Sequence, residues 1–68
     1  MKVSVNGAET VLADGATVVD VVVSTGREPE ARGTAVAVNG EVVPKTRWGT
    51  HALVEDDRVE VLAAIGGG

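Results

Sequence analysis

The chain has 68 residues, ten acidic against six basic side chains for a formal charge of −4, no cysteine, one histidine and one aromatic residue, Trp48. This length gives one domain with no room for a cleft carrying its own catalytic shell, and the missing thiols and lone His51 exclude disulfides, thiolate chemistry and a multi-histidine metal centre, so neither a metal nor a cofactor is expected. An acidic chain without stacking aromatics is the wrong partner for nucleic acid; no apolar run reaches the ~18–20 residues that cross a bilayer, and a soluble cytoplasmic protein without a membrane partner is expected.

Lys2 to Val5 alternates, with Val3 and Val5 on one face, and reads as a strand and not a signal peptide. Asn6-Gly7 follows, the pair best suited to a type I′ turn, so a hairpin is expected. Its returning strand is placed at about Glu9 to Leu12, closed by a second turn at Asp14-Gly15.

Local signals conflict between Thr17 and Gly26. Five valines in six positions favour a strand, each costing up to ~0.7 kcal/mol relative to alanine in a helix. The punctuation is helical: Thr17 suits an N-cap, Asp20 stands where a capping-box acid would, and Gly26 is placed for a C-cap. Val18, Val19, Val22 and Val23 can form one apolar stripe, and a short helix is predicted on the strength of its caps.

Arg27 to Gly33 is charged, contains Pro29 and reads as a surface connection. Thr34-Ala35-Val36-Ala37-Val38 is an apolar run of the kind found in buried central strands. Asn39-Gly40 turns it into a short strand at Glu41-Val42-Val43, which Pro44 stops. Lys45 to His51 is expected to wrap over the core as turns or a helical turn, with Trp48 covering one end, Leu53 as an anchor and His51 as a surface or satisfied histidine without a catalytic partner. Glu55-Asp56-Asp57 reads as a solvated acidic turn, and Arg58 to Ala63 as a last strand carrying Val59, Val61 and Leu62.

That strand leads into Ala64-Ile65-Gly66-Gly67-Gly68. Three consecutive glycines cannot pack a core and lose the most entropy on ordering, so residues 66–68 are expected as a flexible tail outside a domain at 1–65. Without Cβ atoms, Gly66, Gly67 and Gly68 can enter a slot too narrow for other residues, and the reactive group they carry is the Gly68 α-carboxylate. Such a group suits activation by a partner enzyme. Leu62, Ala64 and Ile65 form an apolar lead-in that is expected to meet that partner.

The order strand, strand, helix, strand, short strand, strand matches an α+β, ubiquitin-like β-grasp fold: a mixed sheet of four to five strands with one main helix packed across it and the first and last strands side by side. Val3-Ser4-Val5-Asn6-Gly7, Gly15-Ala16-Thr17-Val18, Val38-Asn39-Gly40, Val42-Val43-Pro44, Trp48, Asp57-Arg58-Val59-Glu60-Val61-Leu62 and the terminal Gly67-Gly68 carry a closer resemblance. In this order they resemble the ubiquitin-like sulfur carriers, and most closely those of thiamine biosynthesis. The family pattern ends in Gly-Gly, and here Gly66 makes three.

The resemblance implies a carrier that is a substrate and not an enzyme. An adenylating partner of the ubiquitin-activating type would use ATP to convert the Gly68 carboxylate into an acyl-adenylate. Sulfur from a persulfide donor would then displace AMP and leave a thiocarboxylate, which in thiamine synthesis is delivered to thiazole synthase. A carrier serving molybdopterin or cysteine synthesis, and a β-grasp regulatory or ligand-binding module, are the alternatives; the module would tolerate residues added after Gly68 and the carrier would not.

Overall fold

Five strands and one helix make up the fold: β1 (Lys2–Val5), β2 (Ala8–Val11), α1 (Val18–Ser24), β3 (Thr34–Val38), β4 (Glu41–Val43) and β5 (Arg58–Ala63), with a 3-10 turn at Lys45–Arg47. The computed structural model describes residues 1–63, so the expectations placed on Ala64, Ile65, Gly66, Gly67 and Gly68 lie outside the described residues. The strands form one sheet in the order β2-β1-β5-β3-β4. β1 and β5 run parallel, and the other three pairings are antiparallel. This is the mixed β-grasp sheet expected, with five strands and the first beside the last.

Both hairpins turn on Asn-Gly. Asn6 and Gly7 have φ of 51° and 83°, and Asn39 and Gly40 have 52° and 86°. Two consecutive left-handed residues match the right-handed twist of the flanking strands, and asparagine tolerates this region better than other residues bearing a Cβ. With only two residues in the first turn, Ala8 already stands opposite Val5. β2 therefore starts one residue before the expected Glu9 and ends at Val11. Val11 pairs with Lys2 and is exposed, whereas Leu12 lies beyond the strand and packs half-buried against the core.

The helix is decided by its ends. The Asp20 carboxylate accepts the Thr17 backbone N–H at 2.8 Å, and Gly26, at φ 86°, donates its N–H to the Val23 carbonyl at 2.9 Å. The buried stripe differs from the expected Val18, Val19, Val22 and Val23. It consists of Val18, Val21 and Val22, with Val19 half-buried and Val23 54% exposed. At about 100° per residue, Val21 and Val22 flank Val18 within a third of a turn, while Val23 points well away from that direction.

Against this stripe the sheet presents Val3, Val5, Val36, Val38, Val43, Val59 and Val61, joined by Trp48 and Leu53. Trp48 is buried, and its indole N–H donates to the Val43 carbonyl at 2.9 Å, so the largest side chain enters the core without an unpaired donor. Thr34–Val38 is interior but not central, because β5 takes the middle of the sheet. Nor is it buried on both faces: Val36 and Val38 point into the core, and Ala35 is exposed on the opposite, outer face.

The acidic turn also departs from expectation. Asp57 is buried at 7% exposure instead of being solvated. Its carboxylate accepts the Val54 backbone N–H and the Asn39 side-chain amide, both at 2.9 Å. Those bonds replace the water that burial removes.

Candidate functional site

β5 occupies the centre of the sheet and leads toward the glycine run, so its surroundings define the site. Val59 and Val61 face the core, while Arg58, Glu60 and Leu62 alternate onto the outer face. Backbone groups alternate as well. Ala37 pairs with Glu60 and Ala35 with Leu62 in the ladder to β3, while the Val59 carbonyl accepts the Asn6 N–H at 2.9 Å from the opposite side.

Two turn asparagines hold β5 at separate points. The Asn39 N–H donates to the Arg58 carbonyl at 2.7 Å, and its side-chain Oδ1 accepts the Arg58 N–H at 2.9 Å. The Asn6 side chain accepts the Val61 N–H at 2.8 Å and donates to the Val61 carbonyl at 3.3 Å. Each asparagine thus serves both its own turn and the strand that precedes the tail.

Leu62, at 58% exposure, lies on the outer face near the end of β5. Its ladder partner Ala35 is also exposed, Ala37 follows two residues on, and Val42, 73% exposed, stands opposite Ala37 on β4. Cross-strand partners share a face, so Val42, Ala37, Ala35 and Leu62 form an apolar corner, with Glu60 adjoining it through Ala37. Of the residues expected to meet a partner, the structure places Leu62 here; Ala64 and Ile65 are outside the described residues. Sequence reading missed Val42, Ala35 and Ala37. The alternation of Thr34–Val38 could have found the alanines, since inward valines at 36 and 38 turn residues 35 and 37 outward.

The concavities are shallow. One of 280 Å³ is lined by Lys2, Val3, Ser4, Gly7, Glu9 and Asp56, and Lys2 lies 3.6 Å from the Glu9 carboxylate across it. His51 lines a second, of 150 Å³, with Glu41 and Arg47. Among the described residues, no three histidine, cysteine or acidic side chains are grouped to hold a metal, and no helix is long and apolar enough to cross a membrane.

A mixed five-stranded sheet with its last strand at the centre, parallel to the first, and one helix packed against it defines the ubiquitin-like β-grasp class. Within that class, the model of the ThiS family matches residues 2–68, and the chain belongs to this family. It is similar to the crystal structure of the thiamine biosynthesis protein ThiS from Geobacter metallireducens, with a TM-score of 0.79 and 27% identity over the whole of both chains. A solution structure of a thiamine biosynthesis protein from the same organism gives a TM-score of 0.78 at 27% identity, covering all of this chain and 88% of that one. No curated protein matches the chain at a significant level.

Proposed function

We propose that the chain is a sulfur carrier whose Gly68 carboxylate is adenylated and then converted to a thiocarboxylate, and that it supplies sulfur for thiazole formation in thiamine biosynthesis. The observation that carries this reading is the match to the ThiS family, which runs through Gly67 and Gly68. The chemistry fits the residues. A carboxylate is a poor electrophile, and its oxygen leaves only after conversion to an acyl phosphate ester. That step requires ATP and carboxylate to be held together in a dedicated site, which the partner provides.

In the first step the carboxylate oxygen attacks the α-phosphorus of ATP and pyrophosphate leaves. In the second a persulfide sulfur attacks the acyl carbon and AMP leaves; reduction of the resulting acyl disulfide by a thiol frees the thiocarboxylate. The carrier acts as a substrate throughout. Gly66, Gly67 and Gly68 thread the partner's slot, and Leu62, Ala64 and Ile65, with the apolar corner of Val42, Ala37 and Ala35, meet its surface. Thiazole synthase receives the sulfur.

The deciding measurement is the intact mass of the protein after incubation with ATP, a persulfide source, a thiol reductant and the adenylating enzyme of the same cell. Exchange of one oxygen for sulfur, mapped to the C-terminal peptide, is expected. Gly67→Trp and a C-terminal amide are both expected to abolish the exchange while the fold persists. Unmodified wild-type protein beside an active partner overturns the reading.

A further inference from the structure

The central strand outruns one of its neighbours. β3 pairs with β5 from Val59 to Ala63, whereas β1 pairs with it only at Arg58 and Val59. The alternation of the ladder turns the N–H and C=O groups of Val59, Val61 and Ala63 toward the β1 side. β1 has already ended at Val5, so beyond Val59 that edge of β5 has no strand beside it among the described residues.

Asn6 fills the first gap. Its backbone N–H makes the last regular bond, to the Val59 carbonyl, and its side-chain amide then takes both polar groups of Val61. A planar primary amide presents one acceptor and one donor side by side, as the C=O and N–H of a single strand residue do, and so it can replace a strand residue that the turn has removed. Among the described residues, Ala63 is the next position on that edge and has no such substitute.

We propose that Asn6 is a positioning residue for the tail: its side chain stands in for a third β1 residue paired with β5, after Ser4 and Val5, fixes β5 as far as Val61, and thereby sets the direction in which the chain leaves the sheet toward Gly68. The functional half of this inference rests on the carrier reading; the structural half does not. A tail directed before encounter loses less orientational freedom when a partner's slot takes it, so the benefit appears in capture of the carrier and not in the chemical step.

Three variants separate positioning from general stability. Asn6→Gly keeps the left-handed turn and deletes the amide. Asn6→Asp keeps the turn and the acceptor for Val61 N–H but sets a carboxylate oxygen against the Val61 carbonyl. Asn39→Gly is the control, since Asn39 has the same φ and holds β5 at Arg58, away from the tail. All are assayed below the lowest melting temperature of the set.

For Asn6→Gly, amide exchange at Val61 should accelerate by about ten- to a hundredfold. The KM for the carrier in carboxylate activation should rise by about fivefold or more with kcat within about twofold, because loss of preorganisation is a loss of binding. Asn6→Asp should fall between Asn6→Gly and wild type in both readouts. Asn39→Gly should lose stability but keep wild-type Val61 exchange and KM. Unchanged KM in Asn6→Gly, or the same rise in Asn39→Gly, overturns the positioning role. If the wild-type carboxylate is not activated at all, the carrier reading fails instead, and Val61 exchange alone decides whether Asn6 holds the strand.

Discussion

Glu55, Asp56 and Asp57 are adjacent acids with three different environments. Glu55 accepts the Lys2 N–H through its carboxylate at 3.0 Å; Asp56 adopts φ 70° and donates its own N–H to the Lys2 carbonyl at 2.7 Å; Asp57 is buried against Asn39 and Val54. The sequence displays the charges but not the partner that lets one of them be buried, because Asn39 lies 18 residues away. The same limit applies to Asn6 and Asn39. Their turns are legible because Asn-Gly is a local conformational requirement, while their second role on β5 depends on a strand read much later in the chain. Removing the Asp57 carboxylate strands the Asn39 amide and the Val54 N–H, so Asp57→Ala should cost about 2–3 kcal/mol in urea unfolding, whereas Glu55→Ala, at an exposed bond, should cost under about 1 kcal/mol.

At the level of the element, α1 is the instructive case. Propensity favoured a strand and the caps favoured a helix; the caps prevail because the valines gain burial against the sheet, which outweighs a few tenths of a kcal/mol each. The existence of the helix was legible and its phase was not. With seven residues, mostly valine, several apolar stripes are equally visible, and the choice falls to the surface the sheet offers. β2 was displaced by one residue for a related reason: the turn geometry counts residues more strictly than the hydrophobic pattern does. The phase makes a direct prediction. Val21→Ala should destabilise by about 2 kcal/mol through lost burial and a cavity, while Val23→Ala, on the exposed side, should be neutral or stabilising by up to about 0.5 kcal/mol. Thermal melts of the two single variants read the difference, and equal losses would contradict a buried stripe of Val18, Val21 and Val22.

For the molecule as a whole, element order was enough to anticipate the β-grasp sheet, because few arrangements place a crossover helix between hairpins and return a last strand beside the first. Leu62 was expected outside the core, but its apolar neighbours there were not. Ala35, Ala37 and Val42 look like core residues in sequence and join Leu62 in an outer corner only when β4, β3 and β5 are set edge to edge.

The central place of β5 and its parallel run beside β1 also carry a mechanical consequence. Tension applied between the first residue and the end of β5 slides β5 lengthwise against β1 and β3, loading the backbone bonds of a ladder simultaneously, whereas pulling open the hairpin of β3 and β4 breaks them in succession. Single-molecule stretching with handles at Met1 and Ala63 should therefore require a clearly higher force than with handles at Thr34 and Val43, the open end of that hairpin. Equal forces would show that the ladders beside β5 do not share the load. For the proposed carrier role, a strand rooted this way would let the residues after it be gripped and released, turnover after turnover, without unravelling the body behind them.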